Sequence, residues 1–172
     1  VLGDAAGLAA AARELDAIEQ ESTAAGWTDD LLGRALTAAR ITASYAMGRQ
    51  ATQRPAVDET ASGGGRLFVP GLFRGGKALL LSSSVTTEDL ARTVARQPGL
   101  SADRRELLLG LSSAIGTFNA AHYRRDTTRD RGDLDRALTA VTQAAGSLKS
   151  EFGWPQRLLR SLRSGGRAEQ QA

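Results

Sequence analysis

Residues Gly71, Leu72, Phe73, Arg74, Gly75, Gly76 and Lys77 stand in the spacing GxxxxGK of a phosphate-binding loop. In such a loop backbone N–H groups cradle phosphate, the lysine reaches it, and a following Ser or Thr holds magnesium. The next residue here is Ala78, which offers no oxygen. Nor does a capped helix start there to supply an anion-binding N-terminus. Gly71, Gly75 and Gly76 therefore read as turn glycines, and no nucleotide or other cofactor is expected. What the loop does offer is a tip, Leu72, Phe73 and Arg74. Two apolar side chains and an arginine suit contact with a partner protein better than catalysis.

His122 is the sole histidine. A general base needs a partner and a cleft, and no serine stands in a G-x-S-x-G frame with which it could form a triad. Its place near the end of a helical stretch suits the negative end of the helix dipole. No catalytic residue is assigned. No Glu-x-x-His or His-x-x-x-His spacing occurs, which disfavours a metal site of the kind helical bundles carry. Cysteine is absent, so disulfides, thiolate nucleophiles and Cys-ligated metals are excluded. The pairs Asp29-Asp30 and Glu88-Asp89 read as helix N-terminal charge.

The segment 154–167, WPQRLLRSLRSGGR, carries the second chemical signal. Leu158, Leu159 and Leu162 fall on one side of a short helix. Trp154, Arg157, Arg160 and Arg163 mark it as a surface for an anionic membrane or an acidic partner. Residues 165–172 read as a tail. Arg124, Arg125, Arg129 and Arg131 alternate with Asp126 and Asp130, a mixed-charge turn rather than a phosphate-binding surface.

The elements that must position these residues follow from hydrophobic periodicity. Leu8, Ala11, Leu15 and Ile18 recur at three and four, predicting a helix over Asp4–Ala25 stopped by Gly26. Thr28 is the expected cap of a second helix from Asp29 to about Arg49, with Trp27 placed to staple onto Leu32. That helix has two adjacent apolar rows and should be central. Gln50 to Gly65 reads as a mobile polar linker. Strand-like runs at 66–69 and 78–82 predict a hairpin, so that 62–85 forms a glycine-rich island in an otherwise helical chain. Thr86 or Thr87 should cap a short helix ended by Pro98-Gly99. Ser101 should cap another that turns Leu107, Leu108, Leu111, Ala114, Ile115 and Phe118 inward and runs to about Tyr123. From Asp133, the series Leu134, Leu138, Val141, Ala145, Leu148 and Phe152 is the cleanest heptad pattern in the chain.

The expected fold class is mainly α: a bundle of about four long helices, with a small β-hairpin and a short helix inserted between the two helical pairs. Residues 1–153 form one domain and 154–172 a basic C-terminal segment. Apolar content of 41% and charged content of 24% are those of a folded globular chain. No apolar run reaches the length of a membrane span, and residues 1–12 lack the basic start of a signal peptide. A net charge of +3 is too small and too scattered to favour nucleic acid. The richness in Ala, Arg and Gly suggests a GC-rich bacterial genome. The functional expectation is a non-enzymatic, cytoplasmic interaction or scaffold domain that contacts a partner protein. The alternative is a regulatory or assembly domain held at a membrane by its C-terminal segment, and a third, less favoured reading is nucleic-acid binding through the arginines.

Overall fold

A computed structural model of the chain describes residues 2–57, 61–71, 76–123 and 130–153. Helix α1 (Asp4–Ala25) buries Leu8, Ala11, Leu15 and Ile18 completely, the stripe its spacing predicts. Each such Leu or Ile contributes about 2 kcal/mol through removal of apolar area from water. Gly26 ends the helix at φ 82°, a left-handed conformation that favours glycine. Thr28 then opens α2 (Asp29–Ala46), its hydroxyl accepting from the backbone N–H of Leu31 at 3.2 Å. Asp29 and Asp30 sit in that first turn, at the positive end of the helix dipole. Nearly every side of α2 is covered: residues 35–39 and 41–46 are all buried. It is the central helix its two apolar rows predict. Its end falls at Ala46, short of Arg49.

Four cross-contacts set the helix directions. Trp27, in the turn after α1, donates through Nε1 to Asp135 Oδ1 at 2.9 Å, near the start of α5 (Arg131–Phe152). Its ring lies 5.8 Å from that of Phe118 on α4 (Ala102–Tyr123). Gly33, near the start of α2, abuts His122 at the end of α4. Arg104, at the start of α4, faces Glu151 at the end of α5, with Nη1 3.3 Å from Oε2. The bundle is therefore up-down-up-down, with α1 beside α2 and α5, and α4 beside the same two. All six residues expected to face inward on α4 do so, five fully and Leu107 in part. On α5 the heptad residues from Leu134 to Leu148 are buried, and Phe152 packs on the core's edge. That helix begins two residues earlier than expected. Asp130 caps it by accepting from the N–H groups of Gly132 and Asp133.

The insert between the helical pairs holds a three-stranded antiparallel sheet, not a two-stranded hairpin. Strands β2 (Leu67–Val69) and β3 (Leu79–Ser82) pair as expected, Phe68 opposite Leu80. A third strand, β1 (Thr52–Pro55), pairs on the other side of β3, Arg54 opposite Leu80. The order is β1-β3-β2. So residues 52–55, expected to belong to a mobile linker, are an ordered edge strand. Pro55 fits there because an edge strand can spare an N–H. Opposed residues share a face. Leu67 and Leu81 join the bundle core, while Phe68, Leu80 and Arg54 share the other face. Gln53 ties the sheet to the N-terminal end: its amide accepts from Leu2 N–H at 2.7 Å and donates to Leu2 C=O at 2.9 Å. Helix α3 (Thr87–Arg96) follows, capped by Thr86, and buries Leu90. Val94 is part-buried and Ala91 exposed.

Candidate functional site

The phosphate-loop spacing leads into a strand. Lys77 is exposed, Ala78 follows it, and β3 begins at Leu79, so no helix N-terminus points at the loop. Gly71 and Gly76 close its neck backbone to backbone. A Cβ on Gly71 would overlap the Gly76 carbonyl and stand 3.2 Å from its Cα. The lack of a side chain at Gly71 is what permits this close approach. The expected contact residues Leu72, Phe73 and Arg74 lie outside the described residues. So do Trp154, Arg157, Arg160 and Arg163.

His122 stands in a seam between α2 and α4. A Cβ on Gly33 would lie 3.5 Å from its Cε1, and its ring meets Tyr123 edge-on at 4.9 Å. Arg40 Nε on α2, and Asn119 Oδ1 and His122 Nδ1 on α4, are among the atoms buried without a hydrogen-bond partner among the described residues. Among the described residues no carboxylate partners the imidazole. Among the described residues no three of His, Asp and Glu come close enough together to hold a metal ion. Glu88-Asp89 has the N-terminal role expected of it. Asp89 and Thr86 form a reciprocal capping box, and the Thr86 N–H and hydroxyl hold the Asp89 carboxyl below its ordinary range.

Arg34 organises the strongest polar cluster, which no sequence motif announces. Its Nη1 and Nη2 donate to both oxygens of Glu21 at 2.9 and 3.0 Å, and its Nε donates to Glu14 Oε1 at 2.6 Å. Asp30 Oδ2 lies 3.5 Å away. The fork geometry matches two carboxylates of α1 from one residue of α2. The guanidinium is held charged far up the pH scale by Glu21, and Glu21 in turn is held below the usual carboxylate range by Arg34. Glu14 continues the chain of contacts. Its Oε2 accepts from the Ser62 hydroxyl at 3.3 Å, and Ser62 Oγ accepts from Phe68 N–H at 3.1 Å. The glycine-rich island is thus hydrogen-bonded to the α1–α2 pair as well as packed on it. Within this cluster Arg34 is met by three carboxylates, Glu14, Glu21 and Asp30.

Helix α4 presents a different surface. From 107 to 123 it has no Asp, Glu, Lys or Arg. Its outer side carries Leu109, 52% exposed, and Tyr123, 70% exposed, with Ser113, Gly116 and Ala120 between them. The outer sides of α1 and α5 are charged instead, by Arg13, Asp16 and Glu19 on the one and by Asp135, Arg136 and Lys149 on the other. Beside this face, between α4 and α5, runs an open groove of about 880 Å³. Leu107, Gly110, Ala140 and Ala144 line it, and Asp103, Glu106 and Glu151 give it acidic character. Neither surface was legible from a motif. The signal that could have found the first is the absence of charge over almost five helical turns.

Comparison of the chain with protein-family models, with curated proteins and with solved structures finds no match.

Proposed function

We propose that this chain is a non-enzymatic helical interaction or scaffold domain that contacts a partner protein through the outer face of α4. The observation that carries the reading is the charge-free stretch 107–123, which leaves Leu109 and Tyr123 in water. A surface helix of a bundle ordinarily sets charged residues opposite its core stripe. The small residues at 113, 116 and 120 would let a partner's helix approach closely, the condition for interdigitated packing. An aromatic anchor, a leucine and few charges are the composition of an interface centre rather than of a rim. The face is also not that of a membrane span, since among the described residues no helix is long and apolar enough to cross a bilayer. Leu72, Phe73 and Arg74 keep the place of a second contact in this reading.

The test is site-specific photo-crosslinking in the native host, with the reactive group placed at Leu109 or Ser113 and, as control, at the exposed Gln20 of α1. The expected result is one adduct of the same mass from both α4 positions and none from position 20. Equal adducts from all three positions, or none from α4, overturns the reading.

A further inference from the structure

We propose that the groove between α4 and α5 is a docking site for a basic amphipathic helix of a partner chain. The site lies beside the outer face of α4 and does not depend on that face having a partner. Side-chain size explains why the groove is there. Towards the core, Leu108 and Leu111 of α4 and Val141 and Leu148 of α5 are buried. Towards solvent the two helices meet with small residues, Gly110 on α4 and Ala140, Ala144 and Ser147 on α5. A Cβ on Gly110 would find no atom within 4 Å, so the floor is open there. The resulting trough of about 880 Å³ follows α4 from Ser101 to Gly110, roughly 14 Å at 1.5 Å per residue. That is room for about two and a half turns of a third helix. A crease between two packed helices takes such a helix ridge into groove, and small floor residues let its apolar ridge sink in.

Charge specifies the occupant. Asp103, Glu106 and Glu151 line the groove, whereas Arg104 is its one basic lining residue and faces Glu151 with Nη1 3.3 Å from Oε2. Asp103 and Glu106 are exposed and have no ionic partner among the described residues. They stand three residues apart, one helical turn, along the α4 flank. The α5 flank carries Gln143, Ser147 and Ser150, polar and uncharged. Leu100 and Leu107, both half-buried, add apolar surface to the floor. A helix that fits this distribution sets leucine-like residues at i, i+3 or i+4, and i+7 against the floor. It sets lysines or arginines one turn apart along the edge that faces α4. Opposite charges so placed speed encounter and fix register. The same carboxylates disfavour anionic ligands at this site.

The probe is a synthetic amphipathic peptide of about four helical turns, leucines on one face and lysines on the other, with a counterpart that has glutamate for lysine. Titrated into isotope-labelled full-length chain, the lysine peptide should shift the amide signals of Gly110, Gln143 and Ser147. The glutamate peptide should bind at least about tenfold more weakly. Asp103→Asn with Glu106→Gln should weaken the lysine peptide about fivefold, the scale of two exposed ion pairs. That difference should vanish in about 1 M salt. Gly110→Trp puts an indole into the trough while raising helix propensity, and should abolish the shifts. Because Asp103 and Glu106 are exposed, the charge variant decides the test even where Gly110→Trp fails to fold. Equal affinity for the two peptides, unchanged affinity in the charge variant, or no shift at the groove overturns the proposal. Shifts confined to Ser113, Gly116 and Ala120 place the peptide on the outer face instead. They overturn the groove site and leave the role of that face standing. Groove signals that shift on concentrating the chain without peptide mean that a second copy fills the trough, which overturns it too.

Discussion

The ring and hydroxyl of Tyr45 on α2 press against the backbone of Gly7 on α1, where a Cβ would stand 2.8 Å from Cζ and overlap the hydroxyl. Tyr45 is 2% exposed, and its hydroxyl has no hydrogen-bond partner among the described residues. The two helices come this close only because position 7 has no side chain. Gly7→Ala should therefore destabilise the fold by about 2 kcal/mol through overpacking, despite the better helix propensity of alanine. Tyr45→Phe removes both the crowding oxygen and an unsatisfied buried group, and should be neutral or stabilising. In the Tyr45→Phe background the cost of Gly7→Ala should shrink, giving a coupling between the two sites in urea unfolding. Simple additivity would show that the contact does not limit helix approach.

Burial, with a smaller contribution from the Asp4 carboxylate, pushes the Tyr45 hydroxyl up from 10.0 to about 12. The neutral phenol is thus favoured in the folded state. Its contribution to stability is fully present below pH 10 and is lost as pH rises from about 10 through 12. Unfolding free energy measured by denaturant between pH 8 and 11.5 should fall at the alkaline end in the parent protein. The fall should be smaller in Tyr45→Phe. Identical curves would mean that Tyr45 ionises in the folded protein as it does in water.

Arg34→Met should cost about 2 kcal/mol, between the worth of an exposed ion pair and that of a buried one. The reason is Glu14. Its side chain is only 14% exposed, and without Arg34 its carboxylate keeps just the Ser62 hydroxyl. Hydrogen exchange should accelerate at the Phe68 amide as well as globally, because Ser62 bonds both Glu14 and Phe68. A loss of stability with Phe68 exchange moving no more than the global rate would break the link between the cluster and the sheet.

The helical part of this fold was legible because each helix repeats one pattern over several turns. Leu8 to Ile18 and Leu134 to Leu148 keep their apolar stripe, and Gly26, Thr28, Ser101 and Thr86 mark the ends by backbone chemistry. Strand β1 was not legible. Thr-Gln-Arg-Pro is polar, exposed on three of its four residues, and is held by pairing to β3, a contact that no local pattern encodes. The clamp of Gln53 on Leu2 spans the same kind of distance in sequence. No local pattern marks Arg34 either, because its partners Glu14 and Glu21 lie on another helix. The phosphate-loop spacing at Gly71–Lys77 carried real information of another kind, since its outer glycines allow a backbone contact. The exposed face of α4 carries no motif; its one trace in the sequence is the absence of Asp, Glu, Lys and Arg from 107 to 123.

The most direct measurement is capture of the native partner by full-length chain carrying Leu109→Asp together with Tyr123→Asp, against the parent and against Gln20→Asp. Both positions are exposed, so thermal unfolding should change by no more than a degree or two. The α4 variant should lose the partner that the parent and the position 20 control retain. A folded α4 variant that still captures it as well as the parent contradicts the assignment of this face.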